Sequence, residues 1–117
     1  MISQIGNYSG ADLIGADLDG SDIGASTYSN GHFKGIHMNQ MSADGTVFTN
    51  SDFTSAQLSQ SNFIRADFAN ANFNGAIVTG SDFSSANFLG SNITIQQLDS
   101  AKSICDAVLP DGTKGKC

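Results

Sequence analysis

Positive charge is scarce in this chain. Five basic residues, Lys34, Arg65, Lys102, Lys114 and Lys116, stand against 11 Asp, and Glu and Trp are absent. A formal net charge of −6 disfavours direct binding to nucleic acid, whose phosphates would repel it. No stretch approaches the length of a membrane-crossing helix, and no charged-then-apolar leader opens the chain; the pattern described below starts so near Met1 that earlier removal of a leader stays open. Cysteine is nearly missing too: Cys105 and Cys117 can close a loop in an oxidising compartment or remain two free thiols. The default expectation is a soluble, cytoplasmic chain, with the periplasm or the thylakoid lumen as the compartment if the two are bridged. At 117 residues the chain reads as one domain, 1–117.

What is present is a period of five. From Tyr8 to Leu98 every fifth residue is large and apolar, with Ala43 the exception, and Ala, Ser or Gly stands two residues before most of them. Neither a 3.6-residue nor a 2-residue period keeps such positions on one face, so the unit of five must contain its own turn. A three-residue extended piece points its first and third side chains to the same side. Ala11 with Leu13, and Ala71 with Phe73, therefore face inward, and the two remaining residues, such as Ile14-Gly15 or Asn74-Gly75, turn the corner. A fixed period over most of a chain signals a solenoid, each unit burying its apolar side against its neighbours.

The units Ala11-Asp12-Leu13-Ile14-Gly15, Ala16-Asp17-Leu18-Asp19-Gly20, Ala66-Asp67-Phe68-Ala69-Asn70 and Ala86-Asn87-Phe88-Leu89-Gly90 resemble the pentapeptide repeat family. The resemblance runs from about residue 6 to 100. It implies an all-β fold, a right-handed quadrilateral parallel β-helix with four units per coil. Residues twenty apart should then stack, and they sort accordingly: Tyr8, Tyr28, Phe48, Phe68, Phe88 in one column and Leu13, Phe33, Phe53, Phe73, Ile93 in a second. A third holds Leu18, Met38, Leu58, Val78, Leu98, and a fourth Ile23, Ala43, Phe63, Phe83. About five coils follow, a prism roughly 23 Å tall at about 4.8 Å per coil. One coil departs from the pattern: Ile36 and Met41 take small positions and Ala43 a large one, which reads as an exchange of volume between neighbouring inward sites.

The coil needs covers at its ends. Thr94 with Gln97 forms a capping-box pattern, which predicts a short helix from Ile95 to Ser103 within a cap of about residues 94–117, followed by a turn at Pro110-Asp111-Gly112 and an irregular tail. The stretch from Ile95 to Gly112 also looks like the tail that follows the repeats in many bacterial family members. The opposite end, with Ile2, Ile5 and Tyr8, has no comparable helix. Its first residues or a second chain are the expected cover, so a homodimer through that uncovered end is the oligomer to test.

No residue cluster names a reaction. His32 and His37 occupy outward positions on successive faces, with Asp12 and Asp52 predicted above and below His32, and adjacent faces point too far apart for ligands to converge. The serines of the small series, Ser21, Ser26, Ser51, Ser61, Ser81 and Ser91, are inward, and Cys105 has no histidine near it in sequence. No catalytic, cofactor-binding or metal residue is assigned, and no cofactor is expected. The densest acidic cluster, Asp12, Asp17, Asp19 and Asp22, is the candidate acidic contact face, and the outward apolar residues Ile14, Ile64, Ile77 and Leu89 are separate candidate contacts. Two functions are carried forward: a non-enzymatic, protein-binding solenoid whose partner is unidentified, and, from the resemblance, a DNA-mimicking binder of a type II topoisomerase. The mimic reading requires an acidic surface, and the column Asp12, His32, Asp52, Asn72, Asn92 loses charge along its length.

Overall fold

The computed structural model describes residues 5–117. Ile2, counted above as part of the N-terminal end, lies outside them. From Asn7 to Asp67 each outward residue pairs in parallel with the residue twenty positions on: Asp12 with His32, His32 with Asp52, Asp52 with Asn72. The three other faces run the same way, from Asn7 to Thr27, from Asp17 to His37 and from Asp22 to Ser42. The chain is thus a four-sided β-helix whose extended pieces are so short that each contributes a single bridge.

The unit Ser51 to Ser55 shows why five residues suffice, since all five of its amides are engaged. Ser51 donates back to the Phe48 carbonyl at 3.3 Å and closes the corner. Asp52 donates to Gly31 in the coil before at 3.0 Å, while Phe53 and Ser55 donate to Asn72 and Asn74 in the coil after, both at 2.8 Å. The Thr54 amide, on the outside of the turn, donates to the unit's own Asp52 carboxylate at 2.9 Å. An acid or amide before the large residue is therefore part of the corner, an Asx turn that captures the amide two residues on.

The fifth residue of every unit from Gly10 to Gly90 has positive φ. Several are not glycine, Ala25 at 60° and Arg65 at 59° among them. That conformation costs about 1–2 kcal/mol for an L-residue, and it persists because ladder bonds hold the corner from both sides. Gly31 has a different reason: a Cβ there would lie 2.3 Å from the Phe33 ring.

Inside, the rings stack. Phe48, Phe68 and Phe88 follow one another at 5.2 and 5.4 Å with planes within 9°, and Phe53 sits 5.6 Å above Phe73. Rings of adjacent columns meet edge to face, as Phe48 does with Phe53 at 76°. Ile36, Met41 and Ala43 are all buried, so the core takes in the two bulky residues at small positions beside the small Ala43 at a large one. The buried hydroxyls of Ser61 and Ser81 are hydrogen-bonded rather than merely packed. Ser61 Oγ donates to the Met38 carbonyl at 2.7 Å and accepts from the Met41 amide at 3.1 Å, and Ser81 repeats this with the Leu58 carbonyl and the Ser61 amide.

The C-terminal segment corrects two expectations. The helix α1 spans Ile95–Asp99, not Ile95 to Ser103, because the chain returns to the coil: Ser103 bridges Asp82, and Val108 bridges Asn87. These partners lie 21 apart instead of 20, since the helical turn takes up one residue more than two units would. The tail is accordingly not irregular. Ile104 and Leu109 pack against the core below Phe83 and Phe88, and Asp106, 21 after Ser85, repeats its positive φ. The chain then folds back as a hairpin, Val108 pairing antiparallel with Lys114, and Cys105 is bonded to Cys117. Adding this segment gives dimensions of 33 × 21 × 20 Å, longer than the repeats alone require.

Candidate interaction surface

The interior is filled by side chains, so the surfaces available for recognition are four walls and two ends. Asp12, Asp17, Asp19 and Asp22 all lie exposed in the first coil. Their carboxylates are tied to the backbone: Asp17 accepts from the Asp19 amide and Asp22 from the Gly24 amide, each at 3.0 Å, and Asp12 from the Ile14 amide at 3.4 Å. Asp19 reaches down one coil to the Asn39 amide at 2.7 Å, and Asn39 in turn takes the Ser59 amide at 3.0 Å.

That second ladder was not foreseen from sequence. It replaces the usual corner bond on the wall where His37 and Gln57, rather than Asp or Asn, precede the large residue. The signal was present in the coil before: Asp19 stands twenty residues ahead of Asn39, and Asn39 twenty ahead of Ser59.

All five basic residues lie beyond the first coil, and three of them, Lys102, Lys114 and Lys116, lie near the other end, where Asp99, Asp106 and Asp111 balance them. The molecule therefore presents one acidic end, with a potential that reaches about a Debye length, some 8–10 Å, into physiological solution. Among the described residues one ion pair forms, Arg65 to Asp44 at 2.7 Å, on the surface.

His32 stands between Asp12 and Asp52 on one wall, and His37 between Asp17 and Gln57 on the next. Neither joins a cluster with metal-ligand spacing. Among the described residues the one such group is Cys105, Asp106 and Cys117, and there the two sulfurs are bonded to each other. The Asp52 carboxyl is held below the ordinary 3.8, first by the Thr54 hydroxyl at 2.6 Å, with the Thr54 amide and the charges of Lys34 and His32 adding to it against the opposing effect of burial. Asp111 is lowered by the same device from Thr113. Tyr28 shifts the other way: its buried hydroxyl has no hydrogen-bond partner among the described residues, and desolvation, with Tyr8 adding to it, pushes its pKa up to about 12.

The outward apolar residues do not form one patch. Ile14, Ile77 and Leu89 are 59%, 54% and 49% exposed but sit on three different walls, and Ile64 is half-buried on the fourth. An apolar hollow of about 400 Å³ lies at the C-terminal end between Ile93, Ile95, Leu98, Leu109 and Pro110.

A model of pentapeptide repeats, nine copies long, matches residues 43–87. No curated protein matches the chain. Among solved structures, the pentapeptide repeat protein Rfr23 of the cyanobacterium Cyanothece 51142 superposes with a TM-score of 0.59 at 15% identity, over 73% of this chain and 75% of that one. A pentapeptide repeat protein of the Arabidopsis thaliana thylakoid lumen gives 0.49 at 27%, over 77% and 66%. Full-length QnrB1, a plasmid-mediated fluoroquinolone resistance protein, gives 0.46 at 21% over 94% of this chain, which spans 65% of that one. The likeness to Rfr23 is one of fold, the right-handed β-helix solenoid. A five-residue motif held in one phase for nineteen units is matched by the repeat model over residues 43–87, where its aromatic columns are densest, and that stretch is a run of pentapeptide repeats.

Proposed function

We propose that the protein is a non-enzymatic interaction solenoid of about five coils, its C-terminal end covered by α1 and the disulfide-tied hairpin, and that its rigid walls bind another protein. The observation that carries this reading is the packing of the interior. From Tyr28 to Phe88 the inward large side chains have essentially no exposure, so the ordered groups open to a partner are on the outside. The acidic first coil suits a partner with a basic contact surface, because opposite potentials steer the encounter and fix its orientation.

A pull-down from the native organism tests it, with the wild-type chain as bait beside a variant carrying Asp12→Asn, Asp17→Asn, Asp19→Asn and Asp22→Asn. A protein retained by the first and lost with the second supports the reading. Nothing retained by the wild type, together with turnover of a small molecule by the pure chain, removes it.

The DNA-mimicking reading rests on the same four carboxylates. Gyrase supercoiling assayed with and without the protein separates the two, since unchanged activity at micromolar protein removes the mimic. A second copy of the chain is the expected occupant of the N-terminal edge. The four carboxylates would then repel across the pair, so association should strengthen with salt, and a monomeric mass by light scattering at high concentration and high salt overturns it.

A further inference from the structure

The helix that interrupts the ladder leaves one corner of the coil without its usual neighbour. On that wall Gly15 donates its amide to the Lys34 carbonyl, Gly35 to Thr54 and Ser55 to Asn74, all within 2.9 Å. The next in the series is Gly75, whose acceptor would be the Thr94 carbonyl. Thr94 is the N-cap of α1, and its carbonyl accepts from Leu98 instead, at 3.0 Å. The Gly75 amide has no acceptor among the described residues and is exposed, as is Asn74 before it.

Asn-Gly occurs twice in the chain, and the two copies differ in this respect. At Asn30-Gly31 the glycine is buried and its amide donates to Ser51 Oγ at 3.1 Å. At Asn74-Gly75 the amide nitrogen is unengaged, water has access, and no Cβ on Gly75 shields the approach to the Asn74 side chain.

We infer that Asn74 is a site of spontaneous covalent modification, converting through a succinimide to aspartate and isoaspartate while Asn30 stays intact. The Gly75 nitrogen attacks Cγ of Asn74. The N–Cγ bond forms, the Cγ–Nδ2 bond breaks, and ammonia leaves with the proton that the Gly75 amide gives up. Water then opens the ring at either carbonyl: addition at Cγ restores the normal peptide link as aspartate, and addition at the backbone carbonyl leaves the chain running through the side chain as isoaspartate. No oxidant or reductant takes part.

The position gives the reaction a consequence. The corner 73–76 is what anchors α1, because Gln97 Nε2 donates to the carbonyls of Phe73 at 2.8 Å and Ala76 at 2.9 Å. An isoaspartate lengthens the backbone at that corner by one carbon and adds a negative charge, which loosens the helix that follows the repeats.

The test is peptide mapping by mass spectrometry after incubating the intact, disulfide-bonded chain in mildly alkaline heavy-oxygen water, folded and in urea. Folded protein should show label and isoaspartate at Asn74 and exceed Asn30 by about tenfold or more, the factor that loss of one hydrogen bond sets. In urea the two sites should react alike. Ser51→Ala, which frees the Gly31 amide, should switch on modification at Asn30. An Asn74 that stays intact in the folded chain while reacting in urea overturns the inference, as does equal reaction of both sites in the folded chain. If Ser51→Ala unfolds the protein, the wild-type comparison decides alone.

Discussion

Up to Ile93 and after Thr94 the chain faces the same requirement, to pair every backbone group of a coil, and meets it in two ways. In the repeats the partner is mostly backbone in the coil before or after, as Asp52 pairs with Gly31 and Phe53 with Asn72, helped at many corners by an Asx side chain such as Asp52. After Thr94 the five helical residues break that arithmetic, and side chains stand in for the missing wall: Asn92 Oδ1 accepts from the Phe73 amide, and Gln97 donates to two carbonyls. Pairing then resumes one residue out of step and ends in an antiparallel hairpin under a disulfide. A periodic segment derives its order from repetition, whereas its end needs particular residues, each with a task no neighbour shares.

Truncation should expose that contrast most sharply. Phe68 touches six other rings, so Phe68→Ala should destabilise by about 3–5 kcal/mol, while Tyr8→Ala, at the half-buried first coil, should cost clearly less in the same denaturant titration. Equal losses would mean that the first coil is as tightly held as the middle.

Next in size is the disulfide. Breaking Cys105–Cys117 with Cys117→Ser removes a closed loop with a sequence separation of 12, an effect of about 3 kcal/mol in the chain-entropy view. Hydrogen exchange should place that loss at the amides of Asp106 and Gly115, which pair within the hairpin segment, and leave Phe53 and Phe68 unchanged. Faster exchange in the middle coils would show that the end controls the whole stack.

Ser61→Ala should cost about 1–3 kcal/mol by stranding the Met38 carbonyl and the Met41 amide in the core. A neutral result in thermal melts would reduce the buried serines to packing.

The smallest change concerns Tyr28. Replacing it by Phe removes a buried hydroxyl that has no partner among the described residues, and should stabilise by about 1 kcal/mol. The folded pKa of about 12 lies above the ordinary 10.0, so the wild-type contribution is fully present below pH 10.0 and is lost as pH rises toward 12. Melts across that window should show a decline in the wild type that is shallower in Tyr28→Phe.

The repeats were legible because one rule decides every position: a small residue two before a large one can only be inward, and the Asp or Asn between them can only be outward. The twenty-residue columns came from the family resemblance, which implies four units per coil, and the sorting of aromatic and aliphatic residues agreed with it. The C-terminal segment was legible only at its start, where Thr94 and Gln97 carry their own local signature. Its extent was misread because Ala101-Lys102-Ser103 suits a helix locally, and the competing attraction, a bridge to Asp82, comes from a residue 21 positions away. Ile104 and Leu109, five apart and out of phase with the rest, were the overlooked trace of the resumed coil.

By itself the sequence determined the solenoid, its period, the sorting of its core and the acidity of its first coil, since each of these needs only local spacing and composition. Tertiary structure alone decided the one-residue slip after α1, the pairing of Cys105 with Cys117, the second ladder from Asp19 through Asn39 and the idle amide of Gly75. Each of those depends on which groups meet across coils, and contacts between residues far apart in the chain leave no periodic mark on it.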